Sequence, residues 1–242
     1  MSEPRPAATV ICLRPAPDTF DLYMVRRSAK AAFMPDVFVY PGGAVDDEDE
    51  ALAELLVGPV HPAVEPRFVV AAIRESFEEC GLFFGCSSRG DRLALTQEML
   101  DTARRDVLGG ARSFAAIVRD LDVHLDANAL AYFSQWVTPP VESRRFDARF
   151  FVARAPLDQL AEADASETHD GRWIAPRDAL DAYRNGSMAM IFPTIKHLER
   201  LAPFDSVDAV MNYARTKDIV PVAPEVLARA SFGLPPELEG KW

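Results

Sequence analysis

The sequence predicts an α+β fold, and two observations carry the prediction. Strand-like and helix-like stretches follow one another without the regular alternation of a doubly wound parallel sheet. The chain has 242 residues, 49% hydrophobic and 26% charged, the balance of a globular protein long enough to bury a full core.

Residues 8–13 and 21–27 are rich in β-branched and apolar side chains, and Pro15, Pro17 and Asp18 break the run between them, so they are predicted as paired strands. A short strand over 37–40 runs into Pro41-Gly42-Gly43, where the backbone must turn sharply or approach something closely. Residues 46–57 open with an acidic run and continue as a short helix with negative charge at its favourable end, stopped by Gly58-Pro59. Residues 67–81 form an amphipathic helix closed by Gly81. Helices over 96–108 and 113–121 flank Gly109-Gly110 and suggest a helical insertion within 87–131. Residues 132–138, 148–153 and 172–174 have strand character, and 177–184, 194–201 and 207–215 have helical character. No internal repeat or low-complexity tract interrupts them, and the whole chain, 1–242, is read as a single domain with additions.

Composition narrows the function classes. The formal net charge of −11 argues against tight, sequence-independent binding to nucleic acid, which depends on Lys and Arg neutralising phosphates. No apolar run approaches the roughly 18 residues needed to cross a bilayer, and residues 1–6 lack a basic-then-apolar leader, so a cytoplasmic protein with no membrane partner is expected. Cys12, Cys80 and Cys86 form no paired motif and read as buried thiols.

The helix over 67–81 holds the chemistry. At about 100° per residue, Val69, Val70, Phe77 and Cys80 lie within roughly 60° of Ile73, and Glu78, Glu75 and Glu79 gather on the opposite side. A solvated acidic face is the bland explanation. Three like charges at helical spacing repel, however, and Arg74 is the one near counter-charge, so a bound cation would remove the conflict. Clustered carboxylates suit a hard divalent ion, Mg²⁺ above all, which keeps sites for water and substrate phosphate. Asp46 to Glu50 is no EF-hand loop, because glycine is missing from its sixth position and the ligand alternation is wrong.

Gly42-Gly43, an acidic stretch, and then Arg74-Glu75-Ser76-Phe77-Glu78-Glu79-Cys80-Gly81-Leu82 closely resemble the Nudix box, and the chain resembles the Nudix hydrolases. The resemblance implies the Nudix fold, a mixed sheet sandwiched between helices. Ser76 stands where the box has an apolar residue. About thirty residues separate Gly43 from Arg74 where the simple box has about thirteen, an insertion within about 46–66. This leaves Glu48, Asp49 and their neighbours as alternatives for the acid that pairs with Arg74.

Long-insert boxes mark a branch resembling the peroxisomal coenzyme A diphosphatases of animals. Residues 33–43, 136–140 and 144–151, and Pro193-Thr194, fit its landmarks. The last residues, Gly240-Lys241-Trp242, are not a peroxisomal address. The resemblance implies that Glu75, Glu78 and Glu79, with a carbonyl near Gly43, hold Mg²⁺, with Mn²⁺ as a substitute, against a small nucleoside-diphosphate-type substrate. Arg74 would brace the helix. A box glutamate or a downstream loop glutamate, here Glu167, would act as base. Arg27, Arg144 and Arg145 are candidate phosphate clamps, since guanidinium forks match phosphate oxygens. Trp136, Phe146, Phe150 and Phe151 read as core strand residues, and His169 as structural. A coenzyme A or acyl-coenzyme A diphosphatase is the leading expectation. ADP-ribose, a nucleotide sugar or a dinucleotide are alternative substrates, a non-catalytic sensor is the alternative from another class, and a homodimer is compatible with all of them.

Overall fold

The computed structural model describes residues 3–30, 34–165, 168–227 and 231–242. Strands β1 (Arg5–Ala16) and β2 (Thr19–Arg27) form an antiparallel hairpin whose turn uses Asp18 at φ 57°. Two short strands follow, β3 (Phe38–Val39) on β2 and β4 (Gly42–Ala44) on β1. The Gly-Gly pair is therefore strand. Thr9 faces Gly42 and Ala8 faces Gly43, so of the two demands read from the sequence it meets the close approach.

The acidic stretch is shorter and more broken than a single helix over 46–57. Helix α1 (Asp47–Ala51) is opened by Asp46 in a reciprocal capping box with Asp49. A 3₁₀ turn, Ala53–Leu55, and strand β5 (Leu56–Val57) follow, ending at Gly58 with φ 105°. Helix α2 (Pro66–Cys80) starts with proline in its first turn, where no N–H is needed, and ends at Gly81 in the left-handed conformation, φ 75°.

Beyond α2 come β6 (Gly85–Cys86), α3 (Gln97–Leu108), α4 (Phe114–Asp120) and β7 (His124–Asp126). Thr96 and Ser113 cap α3 and α4 through their hydroxyls. Strands β5, β7 and β6 make a small second sheet. The main sheet is completed by β8 (Leu130–Val137), β9 (Phe146–Arg154), β10 (Thr168–Ile174) and, after helices α5 (Pro176–Arg184), α6 (Phe192–Leu201) and α7 (Val207–Thr216), by β11 (Pro221–Val222). Strands β12 (Glu225–Val226) and β13 (Phe232–Gly233) form a separate ladder.

The sheet order is β10-β2-β1-β9-β8-β11, mixed because β1 runs parallel to β9 and β8 parallel to β11, while the β10–β2, β2–β1 and β9–β8 pairs are antiparallel. Alternation splits the core between two layers. Ala8, Val10, Cys12, Tyr23, Val25, Phe151 and Ala153 pack with α2, α3 and α4 on one side. Ile11, Leu13, Leu22, Met24, Phe133 and Val152 pack with α5, α6 and α7 on the other. The segments around α1, α3 and α4 join the first of these cores through Leu52, Leu100, Phe114 and Val118. Among the described residues no helix is long and apolar enough to cross a membrane. The three cysteines are buried and unbridged.

Candidate active site

Helix α2 lies against β1 and β4, and this contact places the carboxylates of the box against the sheet. The two-sided wheel read from the sequence needs correction. Glu75 is 9% and Glu79 7% exposed, and every residue from Phe68 to Cys80 except Glu78 is buried. The carboxylate side meets β4 and the acidic stretch instead of solvent, so the helix is enclosed nearly all round.

What makes this enclosure tolerable is Arg74. Its Nε and Nη2 donate to the two carboxylate oxygens of Asp49 at 2.9 and 3.0 Å, and Nη2 also donates to the Ala44 carbonyl at 2.9 Å. Nη1 donates to Glu75 Oε1 at 2.8 Å and to Glu78 Oε2 at 3.3 Å. Five N–H groups are available on a guanidinium, and five acceptor contacts are made. Asp49 is fully buried. Of the alternatives in the acidic stretch, it is thus Asp49 that faces Arg74, and the capping box of α1 holds it there.

Glu79 takes a different partner. Its Oε2 accepts the Gly42 N–H at 2.9 Å. A Cβ on Gly43 would stand 2.5 Å from the Glu75 carboxylate, so the strand passes the helix with no room for a side chain. Burial, and then the neighbouring charge of Glu75, push the Glu79 carboxyl well above the usual range, against the Gly42 N–H and Arg27. Burial also raises Glu75, which Arg74 pulls back and Glu78 raises further. Arg104 of α3 ties the end of α2 in place by donating twice to the Glu78 carbonyl, at 2.9 and 3.0 Å.

Glu75, Glu78 and Glu79 open on one cavity of about 590 Å³. They line one wall of it; they do not meet at a point, and among the described residues no three acidic, histidine or cysteine side chains stand as a closed metal cage. Each carboxylate is turned to the N–H donor nearest it. Gly43, Arg27 and Arg144 also line the cavity. Arg145 does not; its Nε donates to the Thr138 carbonyl at 3.0 Å. Glu167 lies outside the described residues. His169 is exposed on β10, opposite Arg26.

Sequence reasoning missed the aromatic part of the cavity lining. Trp136, Phe146 and Phe150, read as core, also line it, together with Tyr40, Phe192, Pro193 and Phe232. Nothing in the local pattern separates such residues from core, since Trp136 and Phe150 are as buried as the true interior. Asp164, buried on the cavity wall, was missed as well, because a lone acid in a loop carries no signal.

Comparisons with known proteins bear on the family. The family model of the NUDT19 Nudix domain matches residues 62–201, more than half the chain. The putative nudix hydrolase 7 of Caenorhabditis elegans is 26% identical over 221 residues, covering 91% of this chain and 68% of that protein. The acyl-coenzyme A diphosphatases NUDT19 of Xenopus laevis and Homo sapiens are 24% and 27% identical, over 80% and 86% of this chain and 63% and 68% of their own lengths. The chain thus spans about two thirds of these relatives. A crystal structure of a NUDIX hydrolase from Alicyclobacillus acidocaldarius superposes with a TM-score of 0.75 at 27% identity, covering 88% of this chain and 97% of that one. The mixed sheet, the box helix braced by a buried Arg–Asp pair and these matches together establish that the chain belongs to the Nudix hydrolase family.

Proposed function

We propose that this Nudix hydrolase is a divalent-metal-dependent diphosphatase acting on coenzyme A or an acyl-coenzyme A. The observation that carries the reading is one cavity lined both by carboxylates and by apolar and aromatic side chains. A substrate with a diphosphate and a long uncharged arm matches both kinds of lining. The relatives named as acyl-coenzyme A diphosphatases support the same choice.

The donor set fits Mg²⁺ or Mn²⁺. Glu75, Glu78 and Glu79 supply hard carboxylate oxygens, and no side chain stands between the Gly43 backbone and the Glu75 carboxylate. Without a cation, two buried carboxyls are pushed toward protonation, a conflict that a divalent charge would relieve. When bound, the metal supplies charge neutralisation on the phosphoryl oxygens and a more acidic water.

The chain's own residues do the rest. Arg74 holds Glu75 and Glu78 in position and, being fully used by protein acceptors, does not touch substrate. Arg27 and Arg144 bring positive charge to the cavity and meet the outer phosphate oxygens. Water adds across the phosphoanhydride, its oxygen bonding to one phosphorus while the bridging oxygen leaves with the other. A carboxylate, Glu79 or Glu167, takes the proton, and two phosphomonoesters result.

The test is a substrate panel with Mg²⁺: coenzyme A, its thioesters, ADP-ribose, a nucleotide sugar and a dinucleotide. Coenzyme A or a thioester is expected to give the highest kcat/KM, and Glu79→Gln is expected to lower kcat by about 100-fold or more. Indifference to coenzyme A and its thioesters overturns the substrate. Unchanged turnover in both Glu78→Gln and Glu79→Gln, with ligand binding retained, would favour a sensor.

A further inference from the structure

Behind the apolar wall lies a histidine that the reaction does not use. His197 of α6 is fully buried. Its Nε2 stands 2.7 Å from Ser134 Oγ and its Nδ1 2.6 Å from the Pro193 carbonyl. A carbonyl can only accept, so Nδ1 carries the proton, and Nε2 accepts the Ser134 hydroxyl. Burial pushes the imidazole down to about 3, so the ring is uncharged at any working pH.

Ser134 reaches this histidine because of an irregularity in β8. The register against β9 shifts between Tyr132 and Ser134. Strict alternation would put Ser134 beside Tyr132, on the α2 side of the sheet. The bulge turns it to the α6 side.

The ring touches the back of the cavity wall at several points. It stacks on Phe150, with centroids 4.3 Å apart, and lies 5.5 Å from Trp136 and 6.1 Å from Tyr40. Phe150, Trp136, Tyr40 and Pro193 all line the cavity. One imidazole therefore links β8, β9, the segment before β4 and the first turn of α6.

We infer that His197 is a positioning residue that sets the aromatic wall, and with it the site's selectivity for ligands bearing an uncharged arm. The inference rests on the reading that this cavity takes a diphosphate with such an arm. His197 never meets the ligand. It fixes Phe150 and Trp136 by contact and the Pro193 turn by its Nδ1 hydrogen bond.

The test uses the whole 242-residue chain and two probes. Pantetheine carries an uncharged amide-and-thiol arm and no phosphate; ADP with Mg²⁺ carries the diphosphate and no arm. In calorimetric titrations, His197→Phe keeps a ring but loses both hydrogen bonds, and it is expected to weaken pantetheine about tenfold while leaving ADP within about twofold. His197→Gln, which offers both a donor and an acceptor, is expected to recover pantetheine binding to within about threefold. Ser134→Ala removes only one oxygen and is expected to move pantetheine in the same direction as His197→Phe, which keeps the test alive if the ring substitution does not fold. With coenzyme A, KM is expected to rise and kcat to hold within about twofold.

Equal weakening of both probes, a fall in kcat alone, or no binding of pantetheine by the unsubstituted protein overturns the inference. If coenzyme A is not hydrolysed but pantetheine binding follows the expected pattern, the diphosphatase reading fails and the role of His197 stands.

Discussion

Asp49 and Arg74 show what one pair of residues decides. A buried charge is tolerated only when it is paired and hydrogen-bonded, and Arg74 has both from Asp49. Asp49→Ala would leave the guanidinium facing two glutamates and a carbonyl with its main counter-ion gone. The expected cost is about 3 kcal/mol in urea unfolding, with a further loss of activity as Arg74 swings away from Glu75. A loss below 1 kcal/mol would mean that Glu75 and Glu78 suffice. Arg74, Glu75, Glu78 and Glu79 could be singled out in the sequence because the box spacing is compact. Asp49 was legible only as one of several acids, since about seventeen inserted residues blur the count. The capping box, a purely local hydrogen-bond pattern, is what resolves it.

Among the elements, the short strand β4 and the helix α2 depend on each other. Both glycines of β4 are crowded, but by different neighbours. A Cβ on Gly42 would meet the Ala8 carbonyl and Thr9 at 2.5–2.7 Å, part of the sheet itself, whereas on Gly43 it would meet the end of the Glu75 side chain. Gly42→Ala is therefore expected to cost about 1–3 kcal/mol of stability, because backbone must move. Gly43→Ala is expected to unfold nearly as the parent does, yet lose most activity by displacing Glu75. Thermal unfolding and kcat measured on both variants check the contrast, and equal losses of stability would refute it. Helix α2 was predicted within a residue of its ends because Pro66 and Gly81 punctuate it. Its burial was misjudged, since a helical wheel reports polarity and cannot see a partner that neutralises it. The strand at Gly42 was read as a junction because glycine carries no side-chain pattern to reveal pairing.

For the whole molecule, the acidic site and the neutral histidine pull stability in opposite directions with pH. Glu75 and Glu79 are raised in the folded state, so what they contribute is present below the ordinary carboxylate range and is lost as pH climbs, for Glu75 toward about 7. His197 is lowered to about 3, so its contribution is present above about 6.5 and is lost as pH falls. In metal-free protein the Glu75→Gln variant is expected to show a shallower decline in Tm between about pH 5 and 7, the share from Glu79 remaining, and to keep the acid-side fall. Added Mg²⁺ should raise the Tm of the parent most at the top of that window. A parent and variant with parallel Tm profiles would contradict the assignment. The sequence disclosed the α+β class and most helices, but not that β1 lies parallel to β9, because nothing in either strand names a partner roughly 140 positions away. That pairing, from Arg5↔Phe146 to Leu13↔Arg154, has a consequence for synthesis. While the ribosome is still making the middle of the protein, β1 has only its hairpin mate and the glycine strand beside it. The floor beneath helix α2 closes only when β9 emerges, on the order of ten seconds after β1 at ordinary elongation rates. Through that interval the apolar flank of β1 stands open to chaperones, and the enzyme cannot turn over before its own second half exists.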